Sequence, residues 1–76
     1  MVTQAVIFDK DIWDTRRAKR WLNKNKLYRI KRVHETMHFY RYRIREPDYD
    51  HLEYKTTNLG HGIKVIVGYP HSEFYH

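Results

Sequence analysis

Hydrophobic and polar positions alternate most strictly in residues 34–45, which read HETMHFYRYRIR. Because successive side chains of a β-strand point to opposite faces, this alternation predicts one packed face and one cationic face. The packed face holds Tyr40, Tyr42 and Ile44. The cationic face holds an aromatic residue and three arginines, namely Phe39, Arg41, Arg43 and Arg45. A period of two is typical of a sheet surface, and here the surface carries a row of arginines.

A first strand and a single helix are predicted before this segment. Residues 2–8 (VTQAVIF) are sufficiently β-branched and apolar for a strand. Asp14 precedes a segment with helical spacing and is the expected N-cap. The expected buried stripe of the helix is Ala18, Trp21 and Leu22, which fall at i, i+3 and i+4. The helix is expected to end within residues 23–26.

Residues 30–36 (IKRVHET) form the next predicted strand, which pairs with the arginine strand in a hairpin. With Met37 and His38 at the centre of the turn, three cross-strand pairs follow. They are Val33 with Tyr42, Arg32 with Arg43, and His34 with Arg41. Neither turn residue is glycine, and a one-residue slip would exchange the two faces of one strand. Like charges directly opposite cost about 0.2–1 kcal/mol per pair, so either acids on a neighbouring strand or a bound polyanion should compensate them.

The last third of the chain predicts a loop at residues 46–51, an edge strand, a turn at residues 60–62 and a final strand. The order of elements predicts a single α+β domain over residues 1–70, with residues 71–76 as a short tail. We expect two layers, in which one helix packs on one face of a four- or five-stranded, mainly antiparallel sheet. The other face of the sheet is left to water or to a partner.

Composition narrows the class of protein. A chain of 76 residues has little room for a substrate cavity, and the lack of cysteine excludes disulfides and thiolate metal sites. The longest apolar run, residues 65–67, is far too short to span a membrane, and the first residues lack the pattern of a signal peptide. The sequence therefore predicts a soluble, intracellular protein without membrane contact.

Charge is distributed unevenly along the chain. Residues 1–45 hold thirteen bases and four acids, whereas residues 46–76 hold two bases and five acids. This asymmetry favours an anionic partner. The partner is either nucleic acid, with single strands or RNA favoured by an aromatic content of 16%, or an acidic protein surface. Phe39 is the best stacking candidate, because it shares its face with arginines.

Catalytic motifs are weak. The Pro47-Asp48 and Glu53-Tyr54-Lys55 segments resemble the metal-binding elements of a nuclease superfamily, but only four residues separate them, so we expect a loop and an edge strand instead. The six histidines show no paired spacing typical of a zinc site. The sequence thus predicts no catalytic residue, metal or cofactor.

Four segments together resemble the motifs of a known family, namely FDKDIW, AKRWL, ETMHFYRYR and GIKVIVG. On these segments, residues 6–69 resemble a small domain of tailed-phage and giant-virus proteins, which occurs alone or attached to phage head-maturation protease proteins. That family has a lysine-threonine-lysine step after the arginine strand, and residues 55–57 here lack its last lysine. The resemblance implies a viral origin and a noncatalytic module, located in the host cytoplasm or the virion.

The sequence therefore predicts a virus-encoded accessory protein that binds nucleic acid through the arginine strand and the basic face of the helix. The alternative is a protein interaction module, either a virion component or an inhibitor of a host defence factor. Assembly of the chain into a homo-oligomer is a further possible interaction. The candidate binding residues are Arg32, His34, Phe39, Arg41, Arg43 and Arg45 of the hairpin, and Arg16, Arg17 and Arg20 of the helix.

Overall fold

The computed structural model of the chain describes residues 1–71. The elements follow in the order β1 (Val2–Asp9), α1 (Thr15–Lys24), β2 (Arg32–Glu35), β3 (Phe39–Arg43), β4 (Leu52–Gly60) and β5 (Ile63–Pro70). The five strands form one sheet in the order β2-β3-β1-β5-β4, and all neighbours are antiparallel. The predicted α+β fold class is confirmed, with five strands. Of the predicted tail, residues 72–76 lie outside the described residues.

Strand β1 lies at the centre of the sheet, and its alternation separates the two faces. Val6 and Phe8 are fully buried on the face that α1 covers. They form one core cluster with residues from the helix and from the neighbouring strands, namely Ala18, Leu22, Tyr42, Ile44, Ile63 and Val65. This layer therefore contains the hydrophobic core, and α1 closes it.

Helix α1 begins and packs as its sequence predicts. The Asp14 carboxylate accepts a hydrogen bond of 2.8 Å from the backbone N–H of Arg17, which makes Asp14 the N-cap. Ala18 and Leu22 are fully buried, whereas Trp21 is half-buried. The helix thus presents the predicted stripe to the sheet and ends at Lys24.

Three aromatic rings surround Phe8. Its ring centroid lies 5.1 Å from Trp13, 5.7 Å from Trp21 and 5.6 Å from Tyr42. The Trp13 indole N–H also donates a hydrogen bond of 2.7 Å to the backbone carbonyl of His61, which fixes this ring between α1 and the β4–β5 turn. Burial raises the pKa of Tyr42. Its hydroxyl makes no hydrogen bond with residues 1–71.

The hairpin register is the predicted one. Met37 and His38 occupy the turn, flanked by a backbone hydrogen bond of 2.9 Å from Thr36 N–H to the Phe39 carbonyl. The Thr36 hydroxyl accepts a second bond, of 3.0 Å, from the Phe39 N–H, and so stabilises a turn without glycine. All three predicted cross-strand pairs occur. Strand β2 is shorter than predicted, because only Arg32–Glu35 pair in the ladder.

The two glycines at the tip of the β4–β5 turn have backbone conformations that favour glycine. Gly60, His61 and Gly62 all have positive φ values, of 82°, 54° and 76°. A Cβ atom on Gly62 would lie 2.9 Å from the Cδ1 of Ile12 and 3.1 Å from the Cβ of Asp9, so these neighbours would have to shift in addition to the backbone strain of a positive φ. No helix among residues 1–71 is long and apolar enough to cross a membrane.

Candidate functional site

The face of the sheet opposite α1, here called the open face, carries most of the predicted hairpin residues. The register assigns to it Arg32 and His34 of β2, Phe39, Arg41 and Arg43 of β3, Ala5, Ile7 and Asp9 of β1, Lys64 and Ile66 of β5, and Tyr54, Thr56 and Asn58 of β4. Its basic side chains are concentrated on β2 and β3. Its centre is apolar.

The arginines of β3 have no carboxylate directly opposite them on either side. On β2, Arg32 pairs with Arg43, and His34 pairs with Arg41. On β1, the residues opposite the two arginines of β3 are small or apolar, namely Ala5 opposite Arg43 and Ile7 opposite Arg41. Of the two compensations that the sequence left open, glutamates on the neighbouring strand are therefore excluded at these positions.

Ion pairs outside the paired strand positions neutralise the positive charge of the hairpin arginines only in part. An Arg43 guanidinium nitrogen lies 3.6 Å from a Glu46 carboxylate oxygen, and the Glu46 side chain is 67% exposed. Exposed ion pairs of this kind contribute little, about 0–1 kcal/mol. Arg32 and Arg41 make no ion pair with any residue in the described range 1–71. The Nε of Arg41 is buried and has no hydrogen-bond partner there.

Phe39 and Lys64 form the aromatic and basic pair of the open face. The Lys64 ammonium nitrogen lies 5.8 Å from the centroid of the Phe39 ring, which is partly exposed. Both line a concavity of about 320 Å³ beside the β4–β5 turn. The sequence did not single out Lys64, because only the β1–β5 register reveals that it is on the same face as Arg41.

Arg45 lies beyond the end of β3, outside the paired register of the open face. Its backbone N–H donates a bond of 3.1 Å to the Gln4 carbonyl, which also accepts from Ile44. With Arg29 and Lys31, Arg45 lines a separate concavity of about 360 Å³. The sequence singled out neither cation, since Arg29 lies outside every predicted element and Lys31 is out of phase with Arg32 and His34 in the predicted strand.

The basic residues of the helix lie on the other side of the sheet from the open face. Arg16 and Arg20 are exposed on α1, whose buried side packs against the core. Arg17 is used structurally, because it donates a bond of 2.6 Å to the Ile12 carbonyl and lies 4.8 Å from the Trp13 ring. The structure therefore does not bring the helix bases and the arginine strand together on one surface.

The acid of the first nuclease-like segment, Asp48, pairs with a histidine. Asp48 lies in the predicted loop, where both carboxylate oxygens are 3.0 Å from Nδ1 of His51. This side-chain hydrogen bond lowers the pKa of Asp48 and raises the pKa of His51. Residues 1–71 contain no group of three or more histidine, cysteine, aspartate or glutamate side chains that could hold a metal ion. Asp48 is thus explained as the partner of His51.

Comparisons with known proteins add no relative. No protein-family model matches the chain, no curated protein matches it, and no solved structure matches it. The resemblance to the phage and giant-virus domain stays a prediction.

Proposed function

We propose that this protein binds single-stranded nucleic acid on the open face of its sheet. The observation that carries the proposal is the pairing of Arg32 with Arg43 while β1 offers Ala5 and Ile7 instead of carboxylates. Like charges directly opposite each other destabilise the hairpin, and the exposed contact of Arg43 with Glu46 offsets this cost only in part. A polyanion that contacts these guanidinium groups removes that cost, because phosphates accept charge-assisted, bidentate hydrogen bonds from arginine.

Phosphate contacts account for affinity in this proposal, and Phe39 accounts for the preference for single strands. Its partly exposed ring is on the same face as Arg41 and Lys64, so a base that leaves its stack can lie on the ring while the backbone contacts the cations. Bases of a duplex are stacked on each other and do not offer their rings in this way. We therefore expect weak sequence preference and a preference for unpaired strands.

The proposed biological role is that of a noncatalytic, virus-encoded accessory protein. The viral part rests on the resemblance of residues 6–69. The noncatalytic part rests on the same resemblance. In the structure, Asp48 of the nuclease-like segment is the hydrogen-bond partner of His51.

A binding experiment with matched variants tests the proposal. A labelled single-stranded oligonucleotide and the duplex of the same sequence are titrated with the parent protein, with Arg41→Ala plus Arg43→Ala, and with Arg16→Ala plus Lys19→Ala. Both double variants lose two positive charges, but only the first changes the open face. We expect the open-face variant to weaken single-strand binding by at least about tenfold and the helix variant by much less.

Thermal melting of the same variants separates binding from folding. Arg16 and Lys19 are exposed, so their double variant should change stability by less than about 0.5 kcal/mol. Arg41→Ala plus Arg43→Ala removes two half-buried side chains but also relieves the pair of Arg43 with Arg32, so we expect it to fold cooperatively with a change of about 1 kcal/mol or less. A collapse of stability in Arg41→Ala plus Arg43→Ala would make these arginines structural and would remove the main residues of the proposal. Equal losses of affinity in both variants would also contradict it, because they would show a response to net charge alone.

A protein partner is the second candidate, and the edge strand β4 favours it. Strand β4 spans nine residues at the end of the sheet order, and most of them are exposed. An exposed sheet edge can accept a strand from another protein. Recovery of partners from cells that express the tagged parent or the open-face variant discriminates between the candidates. Loss of bound nucleic acid from the variant supports the first, and a protein retained by both supports the second.

A further inference from the structure

Two tryptophans and three basic residues line a second cleft, on the side of the sheet opposite the open face. Its lining consists of Trp13, Arg17, Arg20, Trp21 and Lys24, and its volume is about 180 Å³. The cleft is separate from the proposed nucleic-acid surface, because all five residues belong to α1 or to the segment just before it.

Helical spacing and two anchored rings build the cleft. Arg17, Trp21 and Lys24 recur at steps of four and three along α1 and therefore lie on one side of the helix. Trp13 is held in place by its hydrogen bond to the His61 carbonyl and by its contact with Phe8. Trp21 is fixed edge-on against the same Phe8 ring. Both indoles are thus positioned before any ligand arrives.

The charge at the rim of the cleft is available for an anion. The helix sequence, TRRAKRWLNK, contains no acidic residue. Arg20 and Lys24 are exposed and make no ion pair with residues 1–71. Arg17, by contrast, already donates to the Ile12 carbonyl and lies over Trp13. The cleft therefore combines an aromatic floor with two cations that lack a partner in the described chain.

We propose that this cleft binds a free mononucleotide, with the base against the Trp21 indole and the Arg17 guanidinium that covers Trp13, and with the phosphate on Arg20 and Lys24. A planar ring gains contact area and stacking with indole, and an attached phosphate gains charge-assisted hydrogen bonds. The small volume, about 180 Å³, suits a single base rather than a run of nucleotides. The proposal goes beyond the function proposed for the open face and does not depend on it.

Tryptophan fluorescence provides a direct test, since the chain has two tryptophans and both line the cleft. The parent protein is titrated with a nucleoside monophosphate, with the corresponding nucleoside and with inorganic phosphate, and excited at the red edge of the indole band to avoid absorption by the base. We expect saturable quenching by the monophosphate. The nucleoside and inorganic phosphate should each bind at least about tenfold more weakly, because each supplies only half of the contacts.

Three variants make the test specific. Arg20→Ala plus Lys24→Ala should weaken binding of the monophosphate by at least about tenfold, whereas Arg16→Ala plus Lys19→Ala, with the same loss of charge on the same helix, should change it less than about twofold. Arg41→Ala plus Arg43→Ala should leave it unchanged. If this open-face variant still binds the monophosphate but no longer binds the single-stranded oligonucleotide, the two ligands have separate sites.

Several outcomes would overturn the proposal. Absence of saturable quenching by the monophosphate would do so, as would inorganic phosphate binding as tightly as the monophosphate, which would indicate a general anion site. Equal effects of the two helix variants would show that only net charge matters. Quenching by a single strand but not by the monophosphate, lost in Arg20→Ala plus Lys24→Ala, would assign the cleft to the nucleic-acid surface instead.

Discussion

Replacing Arg32 with glutamate is expected to stabilise the fold, because Arg32 lies directly opposite Arg43 in the hairpin. A charged residue at this exposed position usually has little influence on stability. Here the substitution changes a repulsive cross-strand pair into an attractive one. The same change places a negative charge on the open face and should weaken nucleic-acid binding, so stability and binding are expected to change in opposite directions.

The magnitude follows from the pair energies. Like charges directly opposite cost about 0.2–1 kcal/mol and opposite charges contribute about as much, so the full reversal is worth about 0.4–2 kcal/mol. Arg43 already lies 3.6 Å from Glu46, which reduces both the original repulsion and the new attraction. We therefore expect a gain of about 0.5–1 kcal/mol in the free energy of unfolding. For a domain of this size, that gain raises Tm by about 2–8 °C.

Thermal melting at low and high salt measures the effect. Arg32→Gln, which removes the charge without reversing it, should give about half of the gain. Lys19→Glu changes the net charge equally at a helix position without a cross-strand partner and should alter stability by less than about 0.5 kcal/mol. High salt should reduce the gain of Arg32→Glu, because exposed charges are screened. An unchanged or lowered Tm at low salt would refute the assigned register or the repulsion argument.

Three further predictions concern the rest of the molecule. Gly62→Ala should destabilise the fold by more than Gly60→Ala, measured by chemical denaturation, because both glycines have positive φ but only at Gly62 would the new Cβ approach a side chain, to 2.9 Å; equal losses would contradict the close approach. Trp21→Ala should cost about 3 kcal/mol, the lower end for a large aromatic ring since Trp21 is half-buried, and a nearly unchanged melting temperature would refute its anchoring role. In an NMR titration, His51 should show a pKa above its ordinary value of 6.5, and Asp48→Asn should lower the pKa of His51. The stabilisation that protonated His51 gains from Asp48 is therefore present below pH 6.5 and is lost as the pH rises through the raised pKa. A His51 pKa that does not respond to Asp48→Asn would refute the pair.

Local patterns predicted the elements well where one face of an element is buried. The alternation of FYRYR fixed which side of β3 enters the core, and the spacing of Ala18 and Leu22 identified the buried side of α1. The hairpin register also followed from the sequence. Once Met37 and His38 are placed at the centre of the turn, every cross-strand pair is fixed, and Val33 lies opposite the buried Tyr42. These features depend on residues close together in the chain.

The composition of the open face depended on long-range pairing and was only partly predictable. The sequence identified the arginines of β3 but not Lys64, which reaches the same face through the antiparallel pairing of β1 with β5. Nor could it show that Ala5 and Ile7, rather than acids, lie directly opposite Arg43 and Arg41 on β1. The packing of α1 on the face opposite the arginines of β3 also separates the helix bases from the arginine strand. Composition alone had grouped them together as one basic half of the chain.

The salt dependence of single-strand binding tests the central claim most directly. If Arg32, Arg41, Arg43 and Lys64 each neutralise one phosphate, a plot of the logarithm of affinity against the logarithm of salt concentration should have a slope of about −3, since each contact with a single strand contributes about −0.7. Arg41→Ala plus Arg43→Ala should make the slope shallower by about 1.4, whereas Arg16→Ala plus Lys19→Ala should leave it nearly unchanged. An absence of binding at low salt, or a slope that responds equally to both variants, would contradict nucleic-acid binding by the open face.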